Sequence, residues 1–157
     1  MRLNREAAER LSSEGDASLR EARDKSKAFE WAAAVKAAQL CIELSVKGML
    51  KLFDVEYPPE HDVSERLASI QRKVEGMPDY VLETIARTRM ASKVWESTHS
   101  FAVYGALDIE PSRLFKESDA KAAVECASDA HTCLFWLIQL AAFDQLRPRG
   151  SSNEPHA

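Results

Sequence analysis

The chain reads as an all-α protein, an antiparallel bundle of four to five helices, on three observations. The stretch Trp31 to Phe53 keeps one apolar stripe at helical spacing from end to end. Its prolines fall between periodic segments rather than inside them. No segment alternates polar and apolar residues for long enough to argue a strand.

Residues 3–27 form the first expected helix, rich in helix formers, with Leu3, Ala7, Leu11, Ala17 or Ser18, and Ala22 as its apolar face and a kink expected at Ser13 to Gly15. A polar link around Ser26 to Glu30 leads into the central segment. There Trp31, Val35, Ala38, Ile42, Ser45, Met49 and Leu52 share a stripe with a single polar member, the pattern of a helix surrounded by others. Gln39, Glu43 and Lys47 follow each other by one turn on a neighbouring face, where Glu43 precedes Lys47 in the order that favours an ion pair. The helix should end near Phe53, because Pro58 and Pro59 exclude helical geometry beyond it.

Asp62 followed by Glu65 resembles a capping box, so a helix of about 13 residues is expected from there to Gly76, with Val63, Leu67, Ile70 and Val74 inward. Residues 79–103 read as another helix with a patchier stripe: Val81 or Leu82, Ile85, Thr88 or Arg89, Ser92, and Trp95 or Glu96. Gly105 and Pro111 bracket a loop, after which Ser118 is the expected cap of a last helix reaching Leu146. Its buried stripe is Ala120, Val124, Ala127, Leu134, Ile138 and Ala141, interrupted by His131. The chain divides into a bundle over 1–146 and a polar, disordered tail over 147–157. It holds no internal repeat.

Composition narrows the function. A length of 157 residues suits one domain, and 21 basic against 25 acidic residues give a net charge of −4, which advertises no general affinity for phosphate backbones. No apolar run is long enough to span a membrane and the N-terminus is charged, so a cytoplasmic protein is expected. Three cysteines without an export signal read as reduced thiols. Phosphate-binding glycine loops and the nucleophile elbow of serine hydrolases are absent, and no cofactor is implied.

Ala38-Gln39, Glu43-Leu44 and Lys47, then His61-Asp62 opening the next helix, resemble the HEPN domain family (higher eukaryotes and prokaryotes nucleotide-binding). Tyr104-Gly105, the proline-containing loop and the acidic, alanine-rich start of the last helix extend the resemblance over about residues 6 to 142. It implies an all-α bundle that dimerises. Some members are metal-independent endoribonucleases carrying an Arg and a His separated by four to six residues and paired across the dimer. Others serve as binding modules, often beside a small nucleotidyltransferase in toxin–antitoxin or defence systems. Within the stretch of resemblance no Arg stands at that spacing before a His: Arg89 lies ten residues before His99. Lys93, with five residues between it and His99, is the nearest substitute, and an ammonium does not clamp a phosphate as a guanidinium does. A nucleotide- or partner-binding module is therefore expected, with a metal-independent ribonuclease using His99 and Lys93 as the alternative.

Each candidate has a plainer reading. Lys93 and His99 are roughly 9 Å apart along a helix, so they cooperate only if the helix breaks or two protomers meet; otherwise both are solvated. His61 is a ligand candidate through the family motif and otherwise sits over the Pro58-Pro59 turn. Arg89 and Tyr104 are candidate ligand contacts on the helix around them; Arg87, Arg89 and Lys93 otherwise form a solvated cationic strip. Cys126, His131 and Cys133 are spread too far along one helix to share a metal, so no metal site is expected. The tryptophans Trp31, Trp95 and Trp136, with Phe29, Phe101 and Phe135, suit a base-stacking groove or, more plainly, a core and a dimer seam. Phe135 and Trp136 lie where the last helix is apolar around most of its circumference, which points to a second chain covering them and a homodimer.

Overall fold

The computed structural model describes residues 3–57, 63–106 and 108–149. Four long helices carry the fold: α1 (Arg5–Lys27), α2 (Trp31–Leu52), α4 (Asp79–Tyr104) and α6 (Glu117–Ala142). Single turns, α3 (Ile70–Lys73) and α5 (Pro111–Leu114), sit in the connections. The all-α bundle is the fold expected.

Asn4 opens α1, its side-chain oxygen accepting from the Ala7 amide at 3.2 Å and satisfying one of the helix's orphan donors. The helix is continuous through Ser13 to Gly15, where Gly15 is buried in the bundle. Its buried residues are Ala8, Gly15, Ser18, Leu19 and Ala22, which include Ser18 and Ala22 of the expected face, while Ala8 takes the place expected of Ala7. A three-residue link, 28–30, folds α1 back along α2, with Phe29 in the left-handed region at φ 62°.

The central helix α2 touches α1, α4 and α6, and its expected stripe is buried from Val35 to Leu52. A Cβ on Gly48 would lie 2.5 Å from Leu134 Cδ2 on α6 and 3.4 Å from Leu11 Cβ on α1. The missing side chain is what lets the three helices meet there. His131 tethers α6 to α1, with Nε2 3.0 Å from the Ser12 carbonyl.

Residues 63–76 depart from expectation. In place of one helix to Gly76 there is a 3-10 helix, Ser64–Ser69, then the single turn α3, then an extended pair, β1 (Val74–Glu75). β1 pairs antiparallel with β2 (Arg147–Pro148), and the Arg149 amide donates to the Lys73 carbonyl at 2.8 Å. The first residues of the expected tail are thus tied to the body; residues beyond 149, and the expected cap Asp62, lie outside the described ones. A two-residue ladder is too short to show in a period-two pattern.

Tyr104 closes α4 where Gly105 turns at φ 78°, a conformation that brings the chain against the Ile109 carbonyl. The expected Ser118 cap is displaced: α6 starts at Glu117, and Asp119 accepts from the Lys116 amide at 2.7 Å. The helix stops at Ala142, four residues short of Leu146, which turns inward and is buried.

Candidate functional site

The polar face of α2 meets α4. Gln39 Nε2 donates to the Trp95 carbonyl at 2.5 Å and to Thr98 Oγ1 at 2.8 Å, and one turn on Glu43 pairs with Lys47. Two neighbouring pockets open along this line and share Gln39, Glu43 and His99. One, about 190 Å³, lies between α2 and α4 and is lined also by Trp95 and Glu96. The other, about 290 Å³, runs over Ala33, Ala37 and Leu40 toward Glu21 and Lys36. Of the residues that carried the family resemblance on α2, Gln39 and Glu43 therefore line the same pockets as His99.

Lys93 is elsewhere. Because α4 stays helical from Asp79 to Tyr104, six positions turn Lys93 about 120° around the axis from His99. Lys93 Nζ and Arg89 Nη2 both reach Glu65 of the 3-10 helix, Arg89 at 2.9 Å. Arg87 Nε lies 3.9 Å from Asp129 of α6. The three cations of the expected strip on α4 are thus engaged by two acids, Arg89 and Lys93 sharing Glu65, and one chain does not unite Lys93 with His99. Tyr104 projects at the far end of α4, away from the pocket and mostly exposed. His61 lies outside the described residues. One Arg–His pair at the nuclease spacing does occur in the chain, Arg149 with His156, and His156 also lies outside them.

The aromatic residues do not assemble into one stacking platform. Phe29 meets Trp31 edge to face at 5.5 Å, Tyr80 meets Trp136 at 4.9 Å, and Trp95 lines the α2–α4 pocket. Trp136 is half-buried by Tyr80, and Phe135 is half-exposed beside it. Burial pushes the thiols of Cys41 and Cys133 up to about 12, so both are inert at neutral pH. Among the described residues no group of His, Cys, Asp and Glu is placed to hold a metal, and no helix is long and apolar enough to cross a membrane.

A second apolar stripe escaped the sequence reading. On α4, Met90 is 71% exposed, Val94 59%, Phe101 45% and Tyr104 82%, with Tyr80 beginning the same line. Their spacings of four, seven and three place them on the side opposite Val81, Ile85, Thr88 and Ser92, which are buried. The patchy periodicity of this helix comes from two apolar stripes on opposite faces.

The comparisons agree with this architecture. The family model for the HEPN domain matches residues 8–134. A solved archaeal HEPN homologue superposes with a TM-score of 0.59 at 22% identity, covering 83% of this chain and 97% of that one. No match is found among curated proteins.

Proposed function

Since the chain belongs to the HEPN family, we propose that it acts as a non-catalytic, partner-binding member: a homodimer joined along the exposed back of α4. The observation that carries this reading is the row Met90, Val94, Phe101 and Tyr104. Four large apolar side chains in register on one solvent face cost hydration that a partner surface would relieve. Their spacings of four, seven and three keep a heptad-like period that suits an identical helix crossing at a shallow angle. Phe135 and Trp136, joined to the row through Tyr80, extend the contact. A small nucleotidyltransferase of a toxin–antitoxin or defence system is the partner class that the family resemblance suggests for the remaining surface.

Charge weighs against nucleotide and nuclease readings. A phosphate needs cations in reach, and the three of α4 are largely offset by Glu65 and Asp129. The acids Glu43 and Glu96 stand beside His99. A ribonuclease would need Lys93 released and a second protomer to carry it to His99.

Sedimentation at micromolar concentration tests the proposal. The wild-type chain should run as a dimer, and the double variant Val94→Glu, Phe101→Glu as a folded monomer. A wild-type monomer, or a dimer that survives both charges, would overturn it. Saturable binding of ATP, GTP or single-stranded RNA, lost on His99→Ala, would favour the nucleotide or nuclease reading instead.

A further inference from the structure

We infer that the α2–α4 groove holds an arginine presented on an amphipathic helix of a protein partner. The inference rests on the partner-binding reading and names the chemistry of the contact. Size comes first. The two adjoining pockets, of about 190 and 290 Å³, each fit one or two side chains.

The two pockets differ in lining. The first carries two carboxylates, Glu43 and Glu96, with the Trp95 side chain. The second shares Glu43 and adds Glu21 and Lys36 around an apolar floor of Ala33, Ala37 and Leu40, of which Leu40 is about half exposed. Gln39 stands between them, 8% exposed, and its Oε1 accepts no hydrogen bond. An acceptor left unmatched at the floor calls for a donor, because burying such a group unpaired costs about 1–3 kcal/mol.

A guanidinium answers all three features. It offers five N–H donors to the Gln39 oxygen and the carboxylates, and a flat cation to the indole. Lys47 already offsets Glu43, so Glu96, which makes no ion pair among the described residues, is the carboxylate with charge to spare. The alanine and leucine floor of the second pocket suits a leucine or similar side chain about one turn along the same partner helix, with Glu21 and Lys36 at its rim.

A fluorescent helical peptide with leucines on one face and arginines flanking them is the probe. It should bind saturably, at least tenfold more weakly to Glu96→Arg and several-fold more weakly to Leu40→Ser, and more weakly as salt is raised. A matched peptide with lysines should bind less well, because it lacks the planar fork, and one with glutamates should not bind. Equal affinity for Glu96→Arg, preference for the glutamate peptide, absence of saturable binding, or displacement by ATP would each overturn the inference. Running the titration also on the Val94→Glu, Phe101→Glu variant separates the two claims. The groove lies across α4 from that stripe, so peptide binding survives there even if the dimer reading fails.

Discussion

Gly48 is a residue at which the packed helices leave no room for a side chain. A methyl placed there would meet Leu134 Cδ2 at 2.5 Å, so Gly48→Ala forces α2 and α6 apart or drives Leu134 from its rotamer. Urea unfolding should show a loss of about 1–3 kcal/mol. Gly15→Ala is the control: its nearest neighbour is His131 Cδ2 at 3.5 Å, and alanine should leave stability unchanged or raise it by up to about 1 kcal/mol. Nothing in the local sequence separates the two glycines, since each sits inside a periodic segment and the difference lies in what crosses opposite. The thiols make a second residue-scale prediction. Their folded values are raised by burial from 9.0 to about 12, so the unfolded chain gives up these protons near pH 9 while the folded chain keeps them. The stabilisation is whole below pH 9 and declines as pH rises toward 12, on the order of 1 kcal/mol per thiol per pH unit. Unfolding measured between about pH 8 and 11 should fall less steeply in a Cys41→Ala, Cys133→Ala variant. An equal slope would contradict it.

At the scale of elements, the long helices were legible because one-dimensional signals set them. Periodicity marks α2, and Gly105 and Pro78 bound α4. Residues 63–76 were not legible, because a distant segment decides their form. Val74–Glu75 extend to pair with Arg147–Pro148, and Arg149 Nε donates to the Val74 carbonyl at 3.2 Å, leaving no room for a helix to Gly76. Ending the chain after Leu146 should lower stability by about 1–3 kcal/mol, the net worth of a few hydrogen bonds partly replaced by water. Protease sensitivity around residues 70–76 should rise in the same variant. Unchanged stability would show the ladder to be incidental. The site was half legible for a similar reason. His99 and the Gln39–Glu43 face were readable as separate motifs, but that they line one groove follows from the approach of α4 to α2. That Lys93 turns instead to Glu65 follows from the 3-10 helix, which stands where Asp62 followed by Glu65 announced an α-helix.

For the molecule as a whole, one helix is asked to serve two surfaces. The inner side of α4 closes the groove against α2, and its outer side carries an apolar row that a lone chain leaves in water. The proposed partner-binding role rests on that outer row, on a net charge of −4 and on cations largely offset by acids. The most direct measurement is the rate at which Met90 is oxidised by peroxide or hydroxyl radicals in the intact wild-type protein, with the fully buried Met49 as the internal reference. If a second copy covers α4, Met90 reacts slowly in the wild type and several-fold faster in the Val94→Glu, Phe101→Glu variant. If Met90 reacts in the wild type as fast as a free methionine, the outer face of α4 is bare in solution and the account fails.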